Sequence, residues 1–340
     1  MNIHEIITSY NNDYKPFSGT IRMIEQDQVI FEQGYGYANR SEQLKNEANT
    51  RFGIASGSKI FTAVTVLQLI EKGRLTLDTR LCDCGADRFP NFDPAITVRH
   101  LLTHSSGIPD YFDEEVMHDY SELWTDLPMY SMTTIAAFLP LFETKTMKFV
   151  PGERFSYSNA GYILLGWIVE QMTGMRFQDY VVQHVFRRCG MTDTAYDRLD
   201  QLPARTAVGY IEEGEVWRSN IYALPIVGGP DGGAFTTVHD MEKFWHALLN
   251  CELLSKAMTN EMLTPQIGVD AHIHYGYGVW MTVLHQEIFK YYVMGNDPGL
   301  EMTSSVYPKW SAQCHILSNN GSGAGAITRS IDESLYHRMK

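Results

Sequence analysis

The stretch FGIASGSKIFTAVTVLQLIEKGRLTLD, Phe52 to Asp78, holds both a helix and a pair of side chains able to do chemistry. From Ser56 to Lys72 the apolar residues Ile60, Val64, Leu67 and Ile70 recur at three- to four-residue spacing, and Gly73 stands where a helix C-cap belongs. That pattern predicts a helix. Ser56-Gly57-Ser58-Lys59 opens it, which puts Ser56 in the first turn and Lys59 one turn later on the same face. A serine hydroxyl is a poor nucleophile until a base takes its proton. A lysine can be that base if burial and neighbouring positive charge lower its pKa toward neutrality. The helix N-terminus acts in the same sense, because its N–H groups and dipole stabilise negative charge forming near Ser56. Taken alone the tetrapeptide is weak evidence, since about one Ser-x-x-Lys is expected by chance in a chain this long. An N-capping serine beside a solvated lysine fits the same four residues.

A second element is Tyr157-Ser158-Asn159, which follows the turn former Pro151-Gly152 and precedes a helix predicted from near Ala160. A tyrosine beside Lys59, as phenolate or as hydrogen-bonded phenol, can relay a proton. Asn159 can hold both the lysine and a substrate carbonyl. A packed tyrosine and a helix-capping asparagine are the plain alternative.

Outward from these motifs, Phe17 to Glu25 and Val29 to Tyr37 are β-rich runs joined by Gln26-Asp27-Gln28, which predicts a hairpin. Residues 80–225 carry helical patches, among them Val98 to Leu102, Met132 to Leu139, Ala160 to Gln171 and Phe177 to Arg188. From Met241 the pattern is a helix, then strand-like runs at Gly276 to Leu284, Ile288 to Met294, Met302 to Tyr307 and Gln313 to Leu317, then a closing helix from Ala326 to Met339. Sheet at both ends of a chain with helices between implies an α/β domain built from residues 1–78 and 240–340, a mostly helical domain at 79–239, and an active site between them.

The chain has 340 residues, 44% of them apolar and 20% charged, so it can bury a large core and is not disordered. Its 27 basic and 40 acidic residues leave a net charge of −13, which repels nucleic acid and anionic lipid. Five cysteines are too few for a disulfide scaffold, and the odd count leaves a thiol unpaired. Cys82 and Cys84 are spaced too tightly for a zinc knuckle and read as ordinary thiols. The start lacks a basic region followed by an apolar stretch, and nothing approaches 18 uninterrupted apolar residues, so a cytoplasmic protein without a transmembrane segment is expected unless a leader has been trimmed.

Taken together, the motifs resemble the serine β-lactamase and penicillin-binding-protein family in its class C branch, which also contains esterases and D-amino-acid peptidases. The likeness extends through Phe52 to Asp78, VRHLLTHSSGIPD (Val98 to Asp110), PGERFSYSNAGYILLGWIVEQMTG (Pro151 to Gly174), DGGAFTTVHDMEKF (Asp231 to Phe244) and YGYGVWM (Tyr275 to Met281), in the family's order. The resemblance implies a predominantly antiparallel sheet flanked by helices, with an all-helical lobe. It also implies an acylated nucleophile at Ser56, its activating base at Lys59, a general base at Tyr157 and a substrate-orienting Asn159.

The third motif departs from that pattern. Where the family carries Lys-Thr-Gly or His-x-Gly, this chain has Val293-Met294-Gly295, followed by Asn296-Asp297. The basic residue is missing. Gly295 still allows close backbone approach, and the Asn296 amide can pair with the Ser56 N–H as an oxyanion hole. A hairpin without a catalytic part is the alternative. The lost charge predicts a preference for small neutral esters or amides over carboxylate-bearing β-lactams; an arginine from elsewhere could restore it, and Arg329 on the closing helix is the only candidate. His104 reads as structural, His272 and His274 as solvated imidazoles, and Gly321 to Gly325 as a connection to the last helix. The expectation is a serine acyl hydrolase acting on a β-lactam, a D-amino-acid peptide or an ester, with no metal or organic cofactor. The rival is a catalytically impaired binding or sensor protein on the same fold.

Overall fold

The computed structural model describes residues 2–85, 88–125 and 127–338. Its centre is an eight-stranded antiparallel sheet of Gly19–Glu25 (β1), Gln28–Tyr35 (β2), Ile267–Gly268 (β3), Ile273–Tyr275 (β4), Trp280–Leu284 (β5), Glu287–Asp297 (β6), Leu300–Tyr307 (β7) and Ala312–Ser318 (β8). The strand order is β2-β1-β8-β7-β6-β5-β4-β3, so the two ends of the chain meet at the β1–β8 pairing, with Gly19 opposite Ser318. The expected β1–β2 hairpin forms. Its turn residues Gln26 and Asp27 both take positive φ, 52° and 60°, the sense of turn that matches strand twist.

Five helices matter for the site: Ile3–Asp13 (α1), Lys59–Glu71 (α2), Asn159–Thr173 (α3), Val238–Leu249 (α4) and Ala324–His337 (α5). Ile3 and Ile7 of α1 and Ile327, Ile331 and Leu335 of α5 pack with Ile21, Met23, Phe289 and Ile316 of the sheet in one core. Met241 and Phe244 of α4, together with α2 and α3, pack with Val293, Met302 and Leu317 in the other. Ile316 and Leu317 thus serve opposite faces, as a strand's alternation requires. Each fully buried Leu, Ile or Phe contributes about 1.5–3 kcal/mol.

Several expected elements differ in detail. The helix over Ser56 to Lys72 begins as a 3-10 turn, Ala55–Ser58, and becomes α-helical at Lys59. It is buried all round from Lys59 to Leu69, because α3, α4 and the sheet enclose it. Met132 to Leu139 yields one α-helical turn, Ile135–Phe138, since Pro140 lacks the N–H a longer helix needs. The strand expected from Gly276 starts at Trp280, because Gly278 turns the chain at φ 75°. A hairpin of Tyr210–Glu213 and Val216–Ser219 lies in the stretch read as helical. One core runs across the boundaries at 78/79 and 239/240, and the division into two folding units remains a proposal. No helix among the described residues is long and apolar enough to cross a membrane.

Candidate active site

Ser56 lies in the 3-10 turn that leads into α2, on a backbone held from both sides. Ala55 takes φ 45°, a conformation costly for a residue with a side chain, and its carbonyl accepts from Gly233 N–H at 3.1 Å and from Ser58 Oγ at 2.9 Å. Ser58 Oγ in turn accepts from Ala234 N–H at 3.0 Å, so the turn is tied to the strand that follows Asp231.

Lys59 is buried, and its Nζ donates to Ser56 Oγ at 3.0 Å, Asn159 Oδ1 at 2.7 Å and the main-chain oxygen of Asp231 at 2.6 Å. All three partners are neutral oxygens. Among the described residues no carboxylate lies within ion-pair distance of it. Burial pushes the Lys59 pKa below the usual lysine range, and the charges of Asp231, Glu114, Asp110 and Asp297 oppose the shift. The neighbouring positive charge that the sequence reading invoked is thus replaced by carboxylates, and desolvation alone does the lowering.

Tyr157 stands on the loop ahead of α3, beside Ser56. Lys59 Nζ is 4.8 Å from its ring centroid. Burial, reinforced by Glu114, raises the phenol well above its ordinary pKa, so it is a protonated hydroxyl rather than a phenolate at neutral pH. His104 holds this loop. Its carbonyl accepts from Ser156 N–H at 2.8 Å, its Nδ1 accepts from Ser158 N–H at 3.0 Å, and its ring lies 4.4 Å from that of Tyr157. Burial keeps its imidazole neutral, and a supporting role agrees with the structural reading of this residue.

Asn159 is the first residue of α3, and its N–H donates to Asp110 Oδ2 at 2.6 Å, while Ala160 N–H donates to Oδ1 at 3.1 Å. Asp110 therefore anchors the helix start that aims Asn159 at Lys59. The Asn159 Nδ2 reaches Glu114 at 3.5 Å. Tyr111 donates its hydroxyl proton to the Asp231 carboxylate. Asp110, Tyr111, Glu114 and Asp231 had no assigned role, although Asp110 closes one of the family-like stretches and Asp231 opens another. Their charge was visible; their convergence on one lysine was not.

Gly295 on β6 lies against the Ser56 turn: a Cβ there would sit 2.3 Å from Ile54 O and 2.8 Å from Ser56 N. The β5–β6 pairing ends at Trp280 opposite Tyr292, which leaves the following β6 residues to face that turn. Asn296 and Asp297 line the same cleft as Ser56, Tyr157 and Asn159, a cavity of about 800 Å³. Val293 is buried in the core and supplies no charge. Arg329 also lines the cleft, beside Gly325, where the Glu301 carboxylate accepts the Ala324 N–H at 2.8 Å.

His272 is exposed and His274 partly buried, and no group of metal-ligating side chains occurs among the described residues. The five cysteines, Cys82 and Cys84 included, are free thiols.

Residues 4–287 match the family model described as Beta-lactamase. The chain belongs to the Beta-lactamase family. A penicillin-binding protein from Bacillus halodurans superposes with a TM-score of 0.92 at 45% identity, covering 98% of this chain and 100% of its own. The putative penicillin-binding protein PbpX of Bacillus subtilis is 29% identical over 94% of this chain and 75% of its own length. Penicillin-binding protein 4* of the same organism is 30% identical over 77% of this chain, which spans 59% of that relative's length. The mixed α/β fold with its antiparallel sheet is the fold of this Beta-lactamase family, whose members are serine hydrolases and penicillin-binding proteins.

Proposed function

We propose that this Beta-lactamase-family protein is a serine acyl hydrolase that forms an acyl-enzyme on Ser56. The observation that carries the reading is the contact of Lys59 Nζ with Ser56 Oγ at 3.0 Å, made by a buried amine whose partners are all neutral. Such an amine can be deprotonated near neutral pH and accept the serine proton.

In this reading Ser56 Oγ attacks the acyl carbon of an amide or ester as Lys59 takes its proton. The carbonyl oxygen becomes an oxyanion beside the N–H groups of Ser56 and Asn296, with Gly295 leaving room for it. Asn159 orients the acyl group. Tyr157, a neutral phenol in contact with Ser56, passes a proton to the departing amine or alkoxide as the carbonyl–heteroatom bond breaks. The Lys59 ammonium reprotonates Tyr157; water then attacks the ester on Ser56, one of its protons passes through Lys59 or Tyr157 to Ser56 Oγ as the acyl–Oγ bond breaks, and the free acid leaves. Each step balances with no added oxidant or metal.

A second reading is favoured by Val293, whose buried apolar side chain stands where the resembled family has a base: the protein acylates and does not turn over, as a sensor or scaffold does. Intact-protein mass spectrometry after exposure to penicillin, a fluorophosphonate and a chromogenic ester separates the two. A transient adduct with product release supports hydrolysis, and a stable adduct supports the second reading. No adduct from any of the three overturns both.

A further inference from the structure

Among the described residues, the wall of the Ser56 cleft carries six carboxylates, from Glu114, Asp119, Asp197, Asp231, Asp297 and Glu301, against one arginine, Arg329. Their charges are not equally available. The Asp231 carboxylate takes the Tyr111 hydroxyl, and Glu301 takes the amides at the start of α5. Arg329 lies against Gly325 on the same side as Glu301. Asp297 is different: among the described residues its carboxylate has no hydrogen-bond or ion-pair partner. Among the described residues Glu114 has only the long contact from Asn159 Nδ2 at 3.5 Å.

Both groups sit where an acyl donor would lie. Asp297 is two residues beyond Gly295, which abuts the Ser56 N–H. Glu114 touches Asn159, whose other amide atom holds Lys59 at 2.7 Å. Asp297 and Glu114 feel each other's charge and that of Lys59. Two carboxylates with unused acceptor capacity, facing one cleft beside the nucleophile, form a site that rejects an anion and receives a cation. Lys59 does not fill that need, since its three hydrogen bonds go elsewhere.

We propose that the acyl donor carries a protonated amine near its carbonyl, as in an aminoacyl amide or ester or the amino end of a short peptide, with Asp297 and Glu114 accepting from the ammonium. This rests on the hydrolase reading and names its substrate class. It sets this cleft apart from one built for the carboxylate of a β-lactam. Burial lifts Asp297 to about 7, with the Lys59 charge opposing the lift and those of Asp231 and Glu114 adding to it. An arriving ammonium therefore draws the Asp297 proton off as it binds.

The test uses both enantiomers of alanine p-nitroanilide, with the amine free, N-acetylated or N-succinylated. The free amine should exceed the acetyl form in kcat/KM by about tenfold or more, the size of one charge-assisted contact, and the succinyl form should be poorest. Asp297→Asn and Glu114→Gln should each lower the ratio of free-amine to acetyl turnover severalfold. A ratio at or below one in the wild-type protein overturns the proposal. Binding decides independently of turnover: Ser56→Ala protein, titrated calorimetrically, should hold alaninamide about tenfold more tightly than N-acetylalaninamide, and equal affinities overturn it. Fluorophosphonate labelling of the wild-type protein with no amine preference removes this inference and leaves the hydrolase reading. Amine-selective binding without labelling or turnover does the reverse.

Discussion

Lys59 Nζ donates to the main-chain oxygen of Asp231, at 2.6 Å, and not to its carboxylate, which is occupied by the Tyr111 hydroxyl. This arrangement keeps a buried lysine next to an acid without forming the ion pair that would lock it as ammonium. Tyr111→Phe removes the competing donor and leaves a buried carboxylate seeking one. The Lys59 pKa should then rise. Because the amine must be deprotonated to take the serine proton, the acid limb of the pH profile of fluorophosphonate labelling should move up by about one unit, with about a tenfold loss of rate at pH 7. An unmoved limb would show that Tyr111 does not tune Lys59.

Ser56 is the only serine in the chain followed by lysine three residues later. Ser56→Ala should abolish fluorophosphonate labelling while circular dichroism and thermal unfolding stay near wild type, since the hydroxyl fills no core space. Persistent labelling at another serine would sink the assignment.

Lys59 and Tyr157 touch the same hydroxyl, so their losses should not add. Lys59→Ala and Tyr157→Phe should each cost on the order of a hundredfold or more in kcat. A double variant whose loss equals the product of the two single losses would mean that they act independently.

Gly295→Ala brings a methyl group to 2.3 Å from Ile54 O and 2.8 Å from Ser56 N, a clash with backbone that cannot rotate away. Relief requires the nucleophile turn or β6 to shift. We expect a stability loss of about 1–3 kcal/mol, read from the denaturant midpoint, and a fall in kcat/KM on the order of a hundredfold from the displaced Ser56. Near-normal activity would show that this backbone approach is not needed.

Asp297 lines the cleft where Val293 brings no compensating charge, so a short-chain nitrophenyl ester should outpace a chromogenic cephalosporin in kcat/KM. The cephalosporin penalty should ease as pH falls through about 7, because Asp297 takes up a proton there and its charge ceases to repel the substrate carboxylate. A cephalosporin turned over tenfold faster than the ester would place an anion site in the cleft, with Arg329 its first candidate.

Local chemistry was readable residue by residue. The three- to four-residue apolar spacing over Ile60 to Ile70 encoded a helix, Gly73 and Gly174 marked helix ends that both adopt φ 67°, and the strand-like runs over Met302 to Tyr307 and Gln313 to Leu317 marked β7 and β8. These signals depend on neighbours a few positions apart, which a chain carries in its own order. The helical patch at Met132 to Leu139 shrank to Ile135–Phe138, and the hairpin at Tyr210–Ser219 was missed, because short elements draw their stability from packing against distant residues rather than from propensity.

The sequence by itself determined the juxtaposition of Ser56 and Lys59, since one helical turn brings them onto one face, and it determined the family through motifs in fixed order. Only the tertiary structure decided what surrounds that pair. Residues 48 or more positions apart, such as Lys59, Tyr111, Asn159, Asp231 and Asp297, converge because α2 is enclosed by α3, α4 and the sheet, and each brings a charge or dipole whose effect depends on distance and on exclusion of water. Whether Lys59 is a base, whether Tyr157 is a phenol and whether the cleft favours a cation are electrostatic questions. Electrostatic energy scales with separation and local dielectric, and neither is written in the order of residues along a chain.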